Sequence, residues 1–162
     1  MKELMDDVQT LLESNPGGVL DPVMKSGGVI QLASIGELPE QFNTPCLGIL
    51  DGGSSTTHFS GKVRWITFNV IVAAYVRIFD QVKKVKGKGP ETQNADKSAG
   101  LILKLVRTVL DYNRIDDGMG AFKYARAFFR SEDSVALVRS PQESEFMLAK
   151  SASFEYIRAE QG

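Results

Sequence analysis

The sequence predicts an α+β fold: one mostly antiparallel sheet with two helices packed on a single face. Three observations point there. A long apolar stretch in the middle has the composition of a strand, an amphipathic helical segment lies on each side of it, and the last third alternates apolar and polar residues.

The central stretch is 61–79, Gly-Lys-Val-Arg-Trp-Ile-Thr-Phe-Asn-Val-Ile-Val-Ala-Ala-Tyr-Val-Arg-Ile-Phe. After its first residue it contains neither Gly nor Pro, and it is dense in β-branched and aromatic side chains. Successive strand side chains point to opposite faces, so Ile66, Phe68, Val70, Val72, Ala74, Val76 and Ile78 form one apolar row. The other row, Val63, Trp65, Thr67, Asn69, Ile71, Ala73, Tyr75, Arg77 and Phe79, is apolar but interrupted by polar groups. A strand of roughly 17 residues runs on the order of 55 Å, against a usual length of about 5–6 residues. Such a strand is expected either to carry a bulge or to extend past its own domain and pair elsewhere, because an exposed edge invites pairing. Trp65, Tyr75, Arg77 and Phe79 on the mixed row are residue types favoured at interfaces. A membrane span is rejected, since Arg64 and Arg77 bracket a short segment containing Asn69, whereas a span needs about 20 mainly apolar residues.

In chain order, Leu4, Met5, Val8, Leu11 and Leu12 mark one face of a helix over 2–13, which the Asn15-Pro16-Gly17-Gly18 turn ends. Short strands are expected at 28–35 and 46–50, joined by a loop over 36–45. The run 51–57, Asp-Gly-Gly-Ser-Ser-Thr-Thr, is expected as a polar loop leading into the long strand. Residues 80–94 are rich in Lys, Gly and Pro and are expected as a mobile loop. A second helix is expected from about Ala95, with Asn94 as its N-cap. Its apolar positions are Ala99, Ile102, Leu105, Val106, Val109 and Leu110, widened by Leu101 and Leu103. Residues 111–120 form a turn-rich exit, followed by strands at 121–130, 134–139 and 145–158. In the last strand Phe146, Leu148, Ala152, Phe154 and Tyr156 share one face, opposite Met147, Ala149, Ser151, Ser153, Glu155 and Ile157.

Composition bounds the rest. The 162 residues are expected as a single domain over 1–162 with one core. The 43% hydrophobic and 24% charged fractions fit a folded globule. A net charge of −1 gives no whole-molecule attraction to nucleic acid. The first residues lack the apolar core of a signal peptide, so the chain is expected to be made and kept in a cytoplasm. A single cysteine, Cys46, fits that compartment and reads as a small buried hydrophobe.

The residues give no support for an enzyme. His58 lies near Asp51 and several hydroxyls, but a nucleophilic site needs those groups oriented on rigid elements, and no Gly-x-Ser-x-Gly elbow is present. One His and one Cys do not make a zinc site, and no calcium-loop spacing occurs. The glycines at 52–53 and 87–89 match neither phosphate-binding pattern. No cofactor, metal or catalytic residue is therefore expected. Lys83, Lys84, Lys86 and Lys88 form the one basic cluster, readable as a solvated loop or as sequence-blind phosphate contacts.

Taken together, several features resemble one family. These are the N-terminal helix, Pro45-Cys-Leu-Gly-Ile-Leu-Asp51 running into a Gly-rich segment, the long aromatic strand, the mid-chain helix after a loose loop, and a last strand with Phe154-Glu-Tyr156. In that order, over nearly the whole chain, they look like the tail terminator (tail completion) proteins of tailed bacteriophages. The resemblance rests on element order and size rather than on an invariant signature. It implies a structural virion protein without catalytic residues, assembled as a homo-oligomeric ring, commonly a hexamer, in the host cytoplasm. The ring would cap the tail tube and meet the head–tail connector at the neck. Trp65, Tyr75, Arg77, Phe79, Phe154 and Tyr156 would then contribute to the subunit seam, and the lysine loop would face DNA passing through the lumen. A neighbouring expectation is another neck or tail-tube component. A competing one is a small monomeric ligand-binding or hydrolytic domain, with a pocket lined by Asp51, Ser54 and His58.

Overall fold

The computed structural model of the chain describes residues 1–24, 28–36, 45–58, 61–78, 90–112, 115–124, 126–132, 136–139 and 146–161. Helix α1 spans Lys2–Ser14 and α2 spans Pro90–Tyr112. The strands are β1 (Val29–Gln31), β2 (Cys46–His58), β3 (Val63–Ile78), β4 (Arg126–Glu132), β5 (Ala136–Arg139) and β6 (Phe146–Gln161). They form one six-stranded sheet in the order β1-β2-β3-β6-β4, with β5 also on β6. β1 runs parallel to β2; the other pairings are antiparallel. The α+β architecture is as the sequence predicts.

The apolar row of β3 does what its alternation requires. Phe68, Val70, Val72 and Ala74 are buried with Leu148, Ala152, Phe154 and Tyr156 of β6 under α1 and α2. α1 contributes Leu4, Met5, Val8 and Leu12; α2 contributes Ala99, Ile102, Leu103, Val106, Val109 and Leu110. Both helices thus lie on one face. Leu101 departs from the expected widened stripe and stays 49% exposed. α2 starts at Pro90 rather than near Ala95, because a proline whose missing N–H would be unpaired anyway suits the first helical turn.

The opposite face carries a second, smaller core. Leu32, Cys46, Leu50, Ala73, Tyr75, Met147 and Ala149 are buried there, with Ile30, Ile35 and Ile71 against them. The chain just after β1 folds over this half of the sheet, and the Tyr75 hydroxyl donates to the Ile35 carbonyl at 2.6 Å.

Two expectations are corrected. β3 offers no edge for another subunit, since β2 pairs with it from Arg64 to Tyr75 and β6 from Val63 to Ile78. β6 covers its whole length and β2 most of it, which satisfies most of its backbone groups internally. Likewise β6 is paired with β3 on one side and with β4 and β5 on the other. The run 51–57 is not a loop, because β2 continues through it to His58. A register shift lies in β2, between Asp51 and Ser54, whereas β3, for which a bulge is one expectation, pairs with β6 without a shift. Gly53 adopts φ +91°, a conformation readily open to glycine, and its N–H is held by the Asp51 carboxylate at 2.7 Å. A Cβ on Gly52 would meet the Asn69 carbonyl oxygen at 2.8 Å. The pairing surface of β3 recruits this polar segment despite its turn-like composition.

Phe154 is 1% exposed and meets Phe129 edge-on at 5.9 Å. Phe154→Ala is expected to lower unfolding free energy by about 3–5 kcal/mol, while Leu101→Ala should change it by about 0.5 kcal/mol or less. Urea denaturation of both variants checks the assignment of core and surface.

Candidate functional site

Sequence-predicted interface residues divide into two groups. Tyr75, Phe154 and Tyr156 are 0%, 1% and 1% exposed, inside the chain's own cores. This corrects their assignment to a subunit seam. The alternation of β3 and β6 identified their rows, but the segment that covers Tyr75 is distant in sequence. Trp65 and Arg77 remain half-buried on β3. Phe79 and the lysine cluster Lys83, Lys84, Lys86 and Lys88 lie outside the described residues. Burial pushes the Cys46 thiol up to about 12, as its place in the second core requires.

The competing hydrolytic reading meets a geometric obstacle. Asp51, Ser54 and His58 lie along one extended strand, where seven steps at about 3.3 Å separate the ends by roughly 20 Å or more. A nucleophile–base pair needs hydrogen-bond reach. Clefts on the described surface include one between α2 and β6, one between Leu12 of α1 and Leu20, and one between Pro22 and Leu101. Asp51, Ser54 and His58 line none of these three.

What the fold does expose is an edge. β1 lies against only Leu47–Ile49 of β2, so among the described residues no strand covers the outer side of 51–58. All eight of those residues are exposed. They carry no Lys, Arg, Glu or Pro, although Asp51 and the irregularity between Asp51 and Ser54 are themselves devices that protect a sheet edge. The other rim strands are shorter: β1 has 3 residues, β4 has 7 and β5 has 4. The rim at β4 is partly occupied, since the Phe129 N–H donates to the Asp111 carboxylate at 3.2 Å.

A second exposed feature is the tight turn at 116–122, closed by a β-bridge between Asp116 and Phe122. The Asp117 carboxylate accepts the N–H groups of Met119 at 2.8 Å and Ala121 at 3.2 Å. Asp116 accepts the Gly118 N–H at 2.8 Å. This internal bonding presents Met119 at 87% exposure and Phe122 at 55%. The base of the turn is fixed to α1, because the Lys123 ammonium lies 3.0 Å from Asp7 and 3.3 Å from Glu3. Ion pairs continue from Glu3 to Arg158 at 3.7 Å, and from Arg158 and Arg64 to Glu160 at 2.7 Å each. These groups range from half-buried to exposed at the protein surface, so each pair contributes modestly alone and the chain of pairs chiefly sets geometry.

The third feature is the cleft of about 410 Å³ where α2 meets β6 and β4, lined by Gly100, Leu103, Lys104, Arg107, Phe129, Lys150 and Ala152. Its floor is apolar and its rim cationic. The Arg107 guanidinium stacks 4.3 Å from the Phe129 ring centre and pairs with Asp111 at 2.9 Å. Lys150 is far in sequence from Lys104 and Arg107, so only the fold gathers the three. Met119 left a trace in the sequence, an apolar residue between two turn glycines.

No family model matches the chain, and no curated protein matches it. Among the described residues no helix is long and apolar enough to cross a membrane, and no group of acidic, His and Cys residues is arranged to hold a metal ion.

Two outcomes are expected. Cys46 should react with a thiol reagent at pH 8 only at the rate of global unfolding, read by mass spectrometry against an unfolded control. The Asp117 carboxyl is held below its ordinary 3.8 by the Met119 and Ala121 N–H groups. A group lowered in the folded state stabilises above its unfolded value, and that contribution disappears as pH falls through the folded one. The turn should therefore keep its Met119 and Ala121 amide signals at pH 5 and lose them below pH 3.8, as read by NMR.

Proposed function

We propose that this chain is a structural subunit of a tailed-bacteriophage virion. In this reading it assembles as a ring, commonly a hexamer, that caps the tail tube and faces the head–tail connector at the neck. The observation that carries the reading is the exposed outer edge of β2 over 51–58. A run of unpaired backbone donors and acceptors extends a sheet across a molecular boundary. The uncharged Ser/Thr run over 54–57 also places no like charge opposite a partner strand. The order of elements, from the N-terminal helix through the long strand to the final Phe154-Glu-Tyr156 strand, supports the tail terminator resemblance. The buried cores leave joining to the rim of the sheet and not to β3. Passing DNA would meet the ring lumen through sequence-blind phosphate contacts, for which Lys83, Lys84, Lys86 and Lys88 are the candidates. Another neck or tail-tube component would use the same rim.

The test is sedimentation of the purified chain alone and mixed with phage tail tubes, alongside Thr56→Lys. Thr56 is exposed on the β2 edge, so the charge should leave the melting temperature within a few degrees and weaken assembly at least tenfold. A wild-type chain that stays monomeric in both samples contradicts the proposal.

A further inference from the structure

A β2 edge alone does not define a ring. The segment 51–58 is polar on both faces and contains two glycines, and such strands specify pairing register weakly. Closing a ring needs a directional contact in which one patch of a subunit meets a different patch of the next. The molecule carries two patches that fit that requirement and each other.

One is the 116–122 turn. It is rigidly hydrogen-bonded, tipped by Met119 and Phe122, and shouldered by the carboxylates of Asp116 and Asp117. The other is the 410 Å³ cleft, with Leu103, Phe129 and Ala152 as its floor and Lys104, Arg107 and Lys150 around it. Apolar tip meets apolar floor, and acidic shoulders meet a cationic rim. The volume falls within the range of about 300–1,000 Å³ typical of pockets for drug-sized ligands, so it has room for Met119 together with part of its turn. Flexible Met is a side chain that adapts to an irregular hollow.

Within one chain the turn is anchored away from the cleft. The base of the turn is tied to α1 through Lys123, Asp7 and Glu3, and Tyr124 beside it packs on Phe68 and Tyr156. The cleft lies on the other flank of α2, at Lys150 and Ala152. Its lining residues on the sheet lie two to six positions from Tyr156, since Phe129 sits opposite Phe154, or about 7–20 Å.

We propose that the 116–122 turn of one copy inserts Met119 into the cleft between α2, β6 and β4 of a second copy. The contact is heterologous, so it repeats from copy to copy until the rotation closes. It rests on the ring reading and names the contact that would orient its subunits.

The test mixes two variants of the full chain, each with one added cysteine, Met119→Cys and Lys104→Cys. Both sites are exposed, and native Cys46 is fully buried. Under mild oxidation the mixture should give a disulfide-linked dimer at least tenfold above Met119→Cys paired with Thr10→Cys on α1. The double variant, carrying Met119→Cys and Lys104→Cys together, should give a ladder that ends at the ring size. In parallel, Met119→Asp should weaken assembly tenfold or more, with an unchanged melting temperature. Wild-type assembly without the selective cross-link, or with Met119→Asp assembling normally, overturns this contact and leaves the ring reading standing. A wild-type chain monomeric with and without tail tubes overturns both.

Discussion

The structure depends on β3 being hydrogen-bonded along both edges by its own chain. Sixteen residues of unbroken strand would otherwise present two rows of unpaired backbone groups and an apolar face. β6 pairs with all of it and β2 with Arg64 to Tyr75, and everything else follows from that pairing. α1 and α2 cover the row headed by Phe68, Val70 and Val72. The segment after β1 covers Ala73 and Tyr75. The consequence of saturating the centre appears at the rim, where β2 outruns β1 and leaves 51–58 exposed. The exposed edge that the long strand suggested is therefore found one strand away, on a segment whose composition looked like a loop.

The polar features follow the same division. Groups in the two cores are neutral or internally bonded, as the Tyr75 hydroxyl and the Cys46 thiol are. Charges collect instead in a surface chain from Arg64 through Glu160, Arg158 and Glu3 to Lys123 and Asp7. That chain links β3, β6, α1 and the base of the 116–122 turn. Screened pairs of this kind add modest stability, yet they hold the turn at a fixed angle to the helices. The Asp116 and Asp117 carboxylates bond to their own backbone, which stiffens the tip while keeping negative charge beside Met119.

Much of the fold was legible in the sequence, because periodicity reports burial. The alternating rows of β3 and β6 and the helical stripe of α1 place their residues on the faces observed. The mixed row of β3 was harder, since Tyr75 and Trp65 share it and only the path of residues 28–36 separates a core residue from a half-buried one. The 51–57 segment misled because Gly, Ser and Asp favour turns locally, whereas a long neighbour with an open edge enforces strand. The cleft was invisible, for Lys104, Arg107 and Lys150 reach one place only through packing of α2 on β6. Met119 was visible as an apolar residue in an Asp/Gly turn, but its exposure depends on the carboxylate bonding that shapes that turn.

In the proposed ring, the β2 edge left uncovered among the described residues is the rim that joins subunits. Amide hydrogen exchange over 51–58, compared between the free chain and the chain bound to tail tubes, addresses this most directly. Marked slowing at alternate amides of the segment on assembly, with β3 equally protected in both states, is the predicted result. Unchanged exchange at 51–58 in an assembled sample would contradict it.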